Sequence, residues 1–212
     1  MSRPSLFLLP FLLAVTASNA LAACPQNHFA FSGTSFFSAL PVDNQSADGA
    51  SGNYNVPLGA VNASGGCFST PECGSSATVY VEDDFVLTGL PDGTPVPLVA
   101  HFQVSLSSGS GGGGFGSGSA NIQDTHGNTV AASTPKTNDD LVLPVAAVAG
   151  TPFRLHFESA ASGTGSFASS HGTFSFTGLP PGTVLSSCQG YTTAGAVPAV
   201  ATSWGKVKTL YR

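Results

Sequence analysis

Charge is what this chain has least of. Only 8% of its 212 residues are Asp, Glu, Lys or Arg, against roughly 25% in an average soluble domain. Cations are scarcest: Arg3, Lys136, Arg154, Lys206, Lys208 and Arg212 are the full set, and three of the six fall in the last seven residues. A body that keeps just Lys136 and Arg154 cannot neutralise a phosphate backbone, which excludes nucleic acid as its partner. Attraction to an anionic bilayer surface is excluded on the same ground. Helical periodicity is missing along the body, so long helices are not expected. Reactive motifs are missing too. No Cys-x-x-Cys pair suggests zinc, no Gly-Lys-Ser/Thr follows the glycine run, and no nucleophile elbow occurs in a strand–helix setting. No cofactor is expected.

The chain is rich in turn formers instead. It holds 26 Gly and 15 Pro, while 42% of residues are hydrophobic. That apolar share separates it from disordered compositions, and the dense turn signals predict many short segments. The length suits one all-β domain, or at most two small ones.

The start, "MSRPSLFLLPFLLAVTASNALAAC", reads as a signal peptide over residues 1–22. Arg3 supplies a positive start, residues 6–15 an apolar run too short to span a bilayer, and Ala20-Leu21-Ala22 a small-x-small cleavage site. No later apolar run approaches the roughly 18 residues of a spanning helix. The expected location is secreted or cell-surface. Because "LAAC" (residues 21–24) also resembles a bacterial lipobox, the alternative is a lipoprotein anchored through Cys24.

Cys24, Cys67, Cys73 and Cys188 form an even set, for which two disulfides are the default in an oxidising compartment. Three pairings are possible. Cys67 and Cys73 enclose the short loop "FSTPE", which a local bridge could close, and that favours Cys24 with Cys188.

Strand patterns run through the body. "NHFAFSGTSFF" (residues 27–37) predicts a first strand with Phe29 and Phe31 inward. Residues 43–53 read as a loop. "SATVYVEDDFVLTG" (residues 76–89) is the longest strand signal, with Val79, Val81, Phe85 and Leu87 on one face. Asp83 has the same parity, which predicts a bulge or a meeting of two strands there. Residues 96–106 alternate with Leu98, Ala100, Phe102, Val104 and Leu106 inward. Residues 107–119 read as a low-complexity loop, and "DTHGN" (residues 124–128) as a hairpin turn with Gly127 at positive φ. Pro144 in "LVLPV" predicts a sheet edge. "TPFRLHFES" places Phe153, Leu155 and Phe157 inward. Nine or ten strands with frequent turns predict an antiparallel β-sandwich, jelly-roll-like, over residues 24–190. Residues 191–203 read as a linker and residues 204–212 as a basic tail.

One decapeptide is written almost twice: "FVLTGLPDGT" from Phe85 and "FSFTGLPPGT" from Phe174. In the second copy Pro181 cannot take the third position of a type I turn. Shifting the frame by one residue solves both copies as type II turns with positive φ at Gly93 and Gly182. The pair is thus evidence about fold, since the copies share no titratable group.

Candidate chemistry is thin. Glu82, Asp83 and Asp84 form the densest acidic cluster and could hold Ca²⁺ through hard carboxylate oxygens, against the blander reading of a solvated strand bend. His101 and His156 would share a metal with Glu158 if their strands were neighbours. Asn44-Gln45-Ser46 and Asn62-Ala63-Ser64 match the glycosylation pattern, relevant in a eukaryotic host, and are also expected by chance in so Ser- and Asn-rich a chain.

The pieces "DDFVLTGLPDGTPV", "VAGTPFRLHFE" and "FTGLPPGTVLSSCQG" resemble secreted β-sandwich proteins of environmental bacteria. The end "SWGKVKTLYR" is similar to Trp-Gly…Lys…Tyr-Arg tails on exported bacterial proteins. The resemblance implies export and an all-β fold, carries no activity with it, and suggests a sorting role for the tail. The expected function is a non-catalytic exported protein that meets an extracellular ligand or surface partner. The alternative is a secreted hydrolase acting on glycans.

Overall fold

The computed structural model describes residues 24–32, 34–47, 49–66, 74–109, 115–134 and 138–196. Among them are fourteen strands and one 3₁₀ turn, Val56–Leu58. The strands are β1 Asn27–Phe31, β2 Thr34–Ser38, β3 Val42–Ala47, β4 Ala50–Asn55, β5 Ala60–Gly66, β6 Gly74–Thr88, β7 Pro95–Ser108, β8 Phe115–Asp124, β9 Thr129–Ser133, β10 Asn138–Val148, β11 Phe153–Thr164, β12 Phe167–Thr177, β13 Val184–Ser187 and β14 Thr192–Ala194.

They form two antiparallel sheets packed face to face. One is ordered β14-β13-β6-β11-β8-β9, with β1 and β2 added on β6; the other is β10-β7-β12-β5-β4-β3. The pairs β5/β12, β6/β11, β7/β10 and β8/β9 are what a long hairpin makes when it is rolled up, which is the jelly-roll layout. The tip of that hairpin is the turn after Asp124, with Gly127 at φ 83°. Pro144 sits on β10, an edge strand that needs no N–H there.

The core lies between the sheets. Phe85, Phe102, Phe157 and Phe174 are fully buried, with Phe157 stacked on Phe174 at 4.2 Å. Gly172 on β12 faces the ring of Phe102 on the neighbouring strand β7 so closely that a Cβ there would strike it, so glycine leaves room for that ring in the core.

The repeated decapeptides end β6 and β12, one in each sheet. Gly93 and Gly182 have φ of 85° and 77°, and Thr94 and Thr183 donate to the carbonyls of Pro91 and Pro180 at 3.2 Å. These are type II turns in the shifted frame. The copies meet: Phe85 and Phe174 cross edge to face at 6.3 Å, and Gly89 abuts the Gly182 carbonyl.

Several expectations need correction. Residues 27–37 hold two strands, not one. Residues 43–53 are not a loop but the β3–β4 hairpin, whose outward residues are polar and whose inward ones include the small Ala50 and Gly52, so hydrophobic alternation is weak. Residues 115–119 belong to β8, and 192–194 form β14 on the edge of β13. Asp83 needs no bulge: β6 and β11 stay in register through Leu155↔Asp83, and the side chain points into the sandwich. What changes there is the opposite edge of β6, where β1 pairs residues 77–80 and β13 pairs residues 85–88. The Glu82 N–H and C=O, left between them, are met by the side chains of Asn27 (3.2 Å) and Gln189 (2.8 Å). Asn27 donates in turn to Gln189 Oε1.

Cys24 and Cys188 are disulfide-bonded beside this junction. One sulfur cannot carry both a disulfide and a lipid, so the lipid-anchored alternative through Cys24 does not fit this structure. The Cys67–Cys73 pairing, the signal peptide and the basic tail lie outside the described residues.

Candidate functional site: the outer faces of the two sheets

Strand parity separates the acidic cluster. Glu82 and Asp84 face outward on β6 and Asp83 inward. Arg154, directly opposite Asp84 on β11, forks onto both outward carboxylates: Nε and Nη2 to the two Asp84 oxygens at 2.7 and 2.9 Å, and Nη1 to Glu82 at 2.9 Å. The guanidinium is thereby held charged far above any working pH. Asp83 is fully buried. Desolvation pushes its carboxyl up to about 6, against the opposing hydrogen bonds from Ser187 and from the Asp84 and Gln189 N–H groups. The three carboxylates therefore do not converge on one point, and among the described residues no group of three His, Cys, Asp or Glu is placed to hold a metal.

The two histidines are not brought together either. His156 lies on the outer face of the eight-stranded sheet, 3.8 Å from Glu158. Beside it runs a file of rings: Phe37 on His28 at 4.6 Å, His28 on Tyr80 at 5.1 Å and Tyr80 near His156 at 5.3 Å. Next to Arg154 this face has a small cleft of about 190 Å³ between Glu82, Gln123, Asp124 and His156.

His101 lies on the opposite face of the molecule, on β7. Its Nδ1 is 3.0 Å from Asp140 on β10 and its Nε2 is 2.9 Å from the Thr177 hydroxyl on β12.

The arrangement that sequence reasoning missed is on that second face. Register places Asn44 opposite Asn53, Asn53 opposite Asn62, Asn62 opposite His171, His171 opposite Ser105, and Ser105 opposite Asn138. One polar residue from each of the six strands thus lies in a straight row. The Asn62 amide donates to Asn53 at 2.9 Å, and its carbonyl faces His171 Nδ1 at 3.2 Å. A parallel row of serines runs beside it, with Ser51–Ser64 and Ser107–Ser169 each in contact at 2.7 Å. At the β10–β7–β12 end the face opens into a hollow of about 620 Å³ lined by Gln103, Ser105, Asn138, Asp140, His171 and Thr173.

The signal for the rows was present in the sequence. Asn and Ser two residues apart recur as Asn44/Ser46, Ser51/Asn53 and Asn62/Ser64, reversing with strand direction as antiparallel pairing demands. The two apparent glycosylation motifs are two of these rungs. A glycan on Asn62 would replace one of the two hydrogens on the amide nitrogen that donates to Asn53.

No family model and no curated protein matches the chain. Among solved structures, TmCBM61 in complex with beta-1,4-galactotriose is 14% identical over 65% of this chain and 88% of that one, with a TM-score of 0.33. The enzymatically active domain of tailspike protein 4 of bacteriophage CBA120 is 13% identical over 71% of this chain, which spans 19% of that one, with a TM-score of 0.30. Similarity this low bears on neither ligand nor activity.

Proposed function

We propose that the chain is an exported, non-catalytic β-sandwich that works by binding, in the extracellular space or at the cell surface. The observation that carries this reading is the row from Asn44 to Asn138, a fixed array of hydrogen-bonding groups on an open sheet face. Export is supported by the signal-like start and by a disulfide that pins Cys24 to Cys188, a bond that persists in oxidising compartments. The tail at residues 204–212 is assigned a sorting role. Fractionating the host culture and probing intact cells tests the placement: the protein belongs in the medium or at the surface, and a cytoplasmic pool would sink the proposal. A tail-deleted chain that stays in the same fraction would remove the sorting role.

One observation favours a second reading, a hydrolase. Thr177, His101 and Asp140 are aligned as a hydroxyl, a base and an orienting acid. Acyl transfer also needs paired N–H donors for the developing oxyanion, and this trio stands on a laddered sheet where Thr177 pairs with Val99. Covalent labelling of Thr177 by a fluorophosphonate, lost in His101→Ala, would favour the hydrolase.

A further inference from the structure

We infer that the outer face of the six-stranded sheet binds a neutral polysaccharide strand lying across the strands, along the row from Asn44 to Asn138. This names the ligand class for the binding reading above and rests on it.

The first argument is the hydrogen-bonding chemistry of the face. A sugar hydroxyl is donor and acceptor at once, and two adjacent hydroxyls match the paired N–H and C=O of a planar amide. Asn44, Asn53 and Asn138 present such amides in exposed positions, with the Ser105 hydroxyl and His171 between them. Asn62 is held between Asn53 and His171, so little ordering is left for a ligand to bring about.

The second argument is charge. None of the strands β3, β4, β5, β7, β10 and β12 contains Lys or Arg. A phosphate, a sulfated glycan or a nucleic acid would find no counter-charge here. Two carboxylates line the hollow, Asp139 and Asp140, and Asp140 is already engaged by His101.

The third is the lack of an apolar centre. Of the large hydrophobic side chains exposed on these strands, Val42 and Val142 stand on the two edge strands and Phe167 at the first residue of β12, four residues from His171 in the row. A protein partner draws its affinity from a central cluster of aromatic or other large anchors, and the middle of this face holds asparagine, serine and histidine.

Geometry fits an extended chain. Neighbouring strands are about 4.8 Å apart, so the six-strand row runs for about 24 Å with one polar residue per step. That step is comparable with the rise of one sugar unit in an extended glycan. The hollow at the β10–β7–β12 end gives depth at one terminus.

The test is calorimetric titration of the full exported chain with cellohexaose, xylohexaose and mannohexaose, each followed by chromatography of the sugar. At least one hexaose is expected to bind, with affinity unchanged by added salt. Asn53→Ala should weaken it at least tenfold. So should Ser105→Tyr, which covers the row from an exposed position and leaves the Asn53–Asn62–His171 bonds in place. Ser133→Tyr, a matched change on the outer face of the other sheet, should leave it unaltered. If none of the three sugars binds, or if binding survives Ser105→Tyr, the site is overturned while export and the absence of catalysis stand. If the hexaose is shortened and Ser105→Tyr abolishes both binding and shortening, the site is supported and the non-catalytic reading falls instead.

Discussion

The backbone N–H of Gln189 points into the carboxylate of Asp83, 3.2 and 3.3 Å from its two oxygens, across 106 residues of chain. Both groups are buried where β1 and β13 share the edge of β6. The contact joins the last strands of the roll to its longest one, and it does so with a carboxylate that burial disfavours.

That carboxylate makes stability depend on pH with an unusual sign. Its folded value is pushed up to about 6, above the roughly 3.9 of an unfolded Asp. The folded state therefore holds the proton more tightly. The stabilisation from this group is fully present below the unfolded value and is lost as pH rises through about 6. The loss is roughly 3 kcal/mol. Asp83→Asn should match the parent at pH 4 and exceed it at pH 8, measured by denaturant midpoint. A difference that does not change with pH would remove the assignment.

The disulfide closes a loop of 164 residues next to the same junction. In the chain-entropy account, opening it costs about 5 kcal/mol. The double substitution Cys24→Ser/Cys188→Ser should lower the denaturant midpoint accordingly, and adding reductant to that variant should then reveal only what Cys67 and Cys73 contribute.

The two repeated turns allow a matched comparison. A Cβ on Gly93 or Gly182 would meet nothing within 4 Å, so Gly93→Ala and Gly182→Ala isolate the cost of positive φ. Each should lose about 1 kcal/mol. Gly89→Ala should lose more, because its Cβ would lie 2.6 Å from the Gly182 carbonyl oxygen. Equal losses at all three positions would contradict the contact between the turns.

Arg154 separates Glu82 from Asp84 on the outer face. The side chains are partly exposed, so Arg154→Met should cost only about 1 kcal/mol at neutral pH. The loss should shrink in high salt, which screens the paired charges. A loss independent of salt would mean that packing by the stem, not charge, is what Arg154 supplies.

The fold was largely legible in the sequence where large side chains alternate. Phe102 and its neighbours on β7, Phe157 on β11 and Phe85 on β6 announce their inward faces because one side of each strand is apolar and the other is not. The turns were legible too, since the ring of Pro181 left one workable frame for both copies. The β3–β4 hairpin was hidden for the opposite reason: its inward positions include Ala50 and Gly52, and its outward ones are turn-forming Asn and Ser. Asp83 was hidden because a charge at an inward position reads as an interruption of a strand. Hydrogen bonds from Ser187 and from the backbone N–H of Gln189, both far along the chain, help it stay.

What the sequence determined by itself is the class of surface. So few cations make a surface poor in positive charge the expectation however the strands are arranged, because net composition survives folding. Where the hydrogen-bonding groups of that surface stand was decided by tertiary structure, the sequence carrying only the Asn/Ser spacing of three strands. Asn44, Asn53, Asn62, His171, Ser105 and Asn138 are scattered over nearly 130 residues of chain. They become a row because strand order and register set β3, β4, β5, β12, β7 and β10 side by side. A shift of one residue in any pairing would turn that strand's contribution into the core.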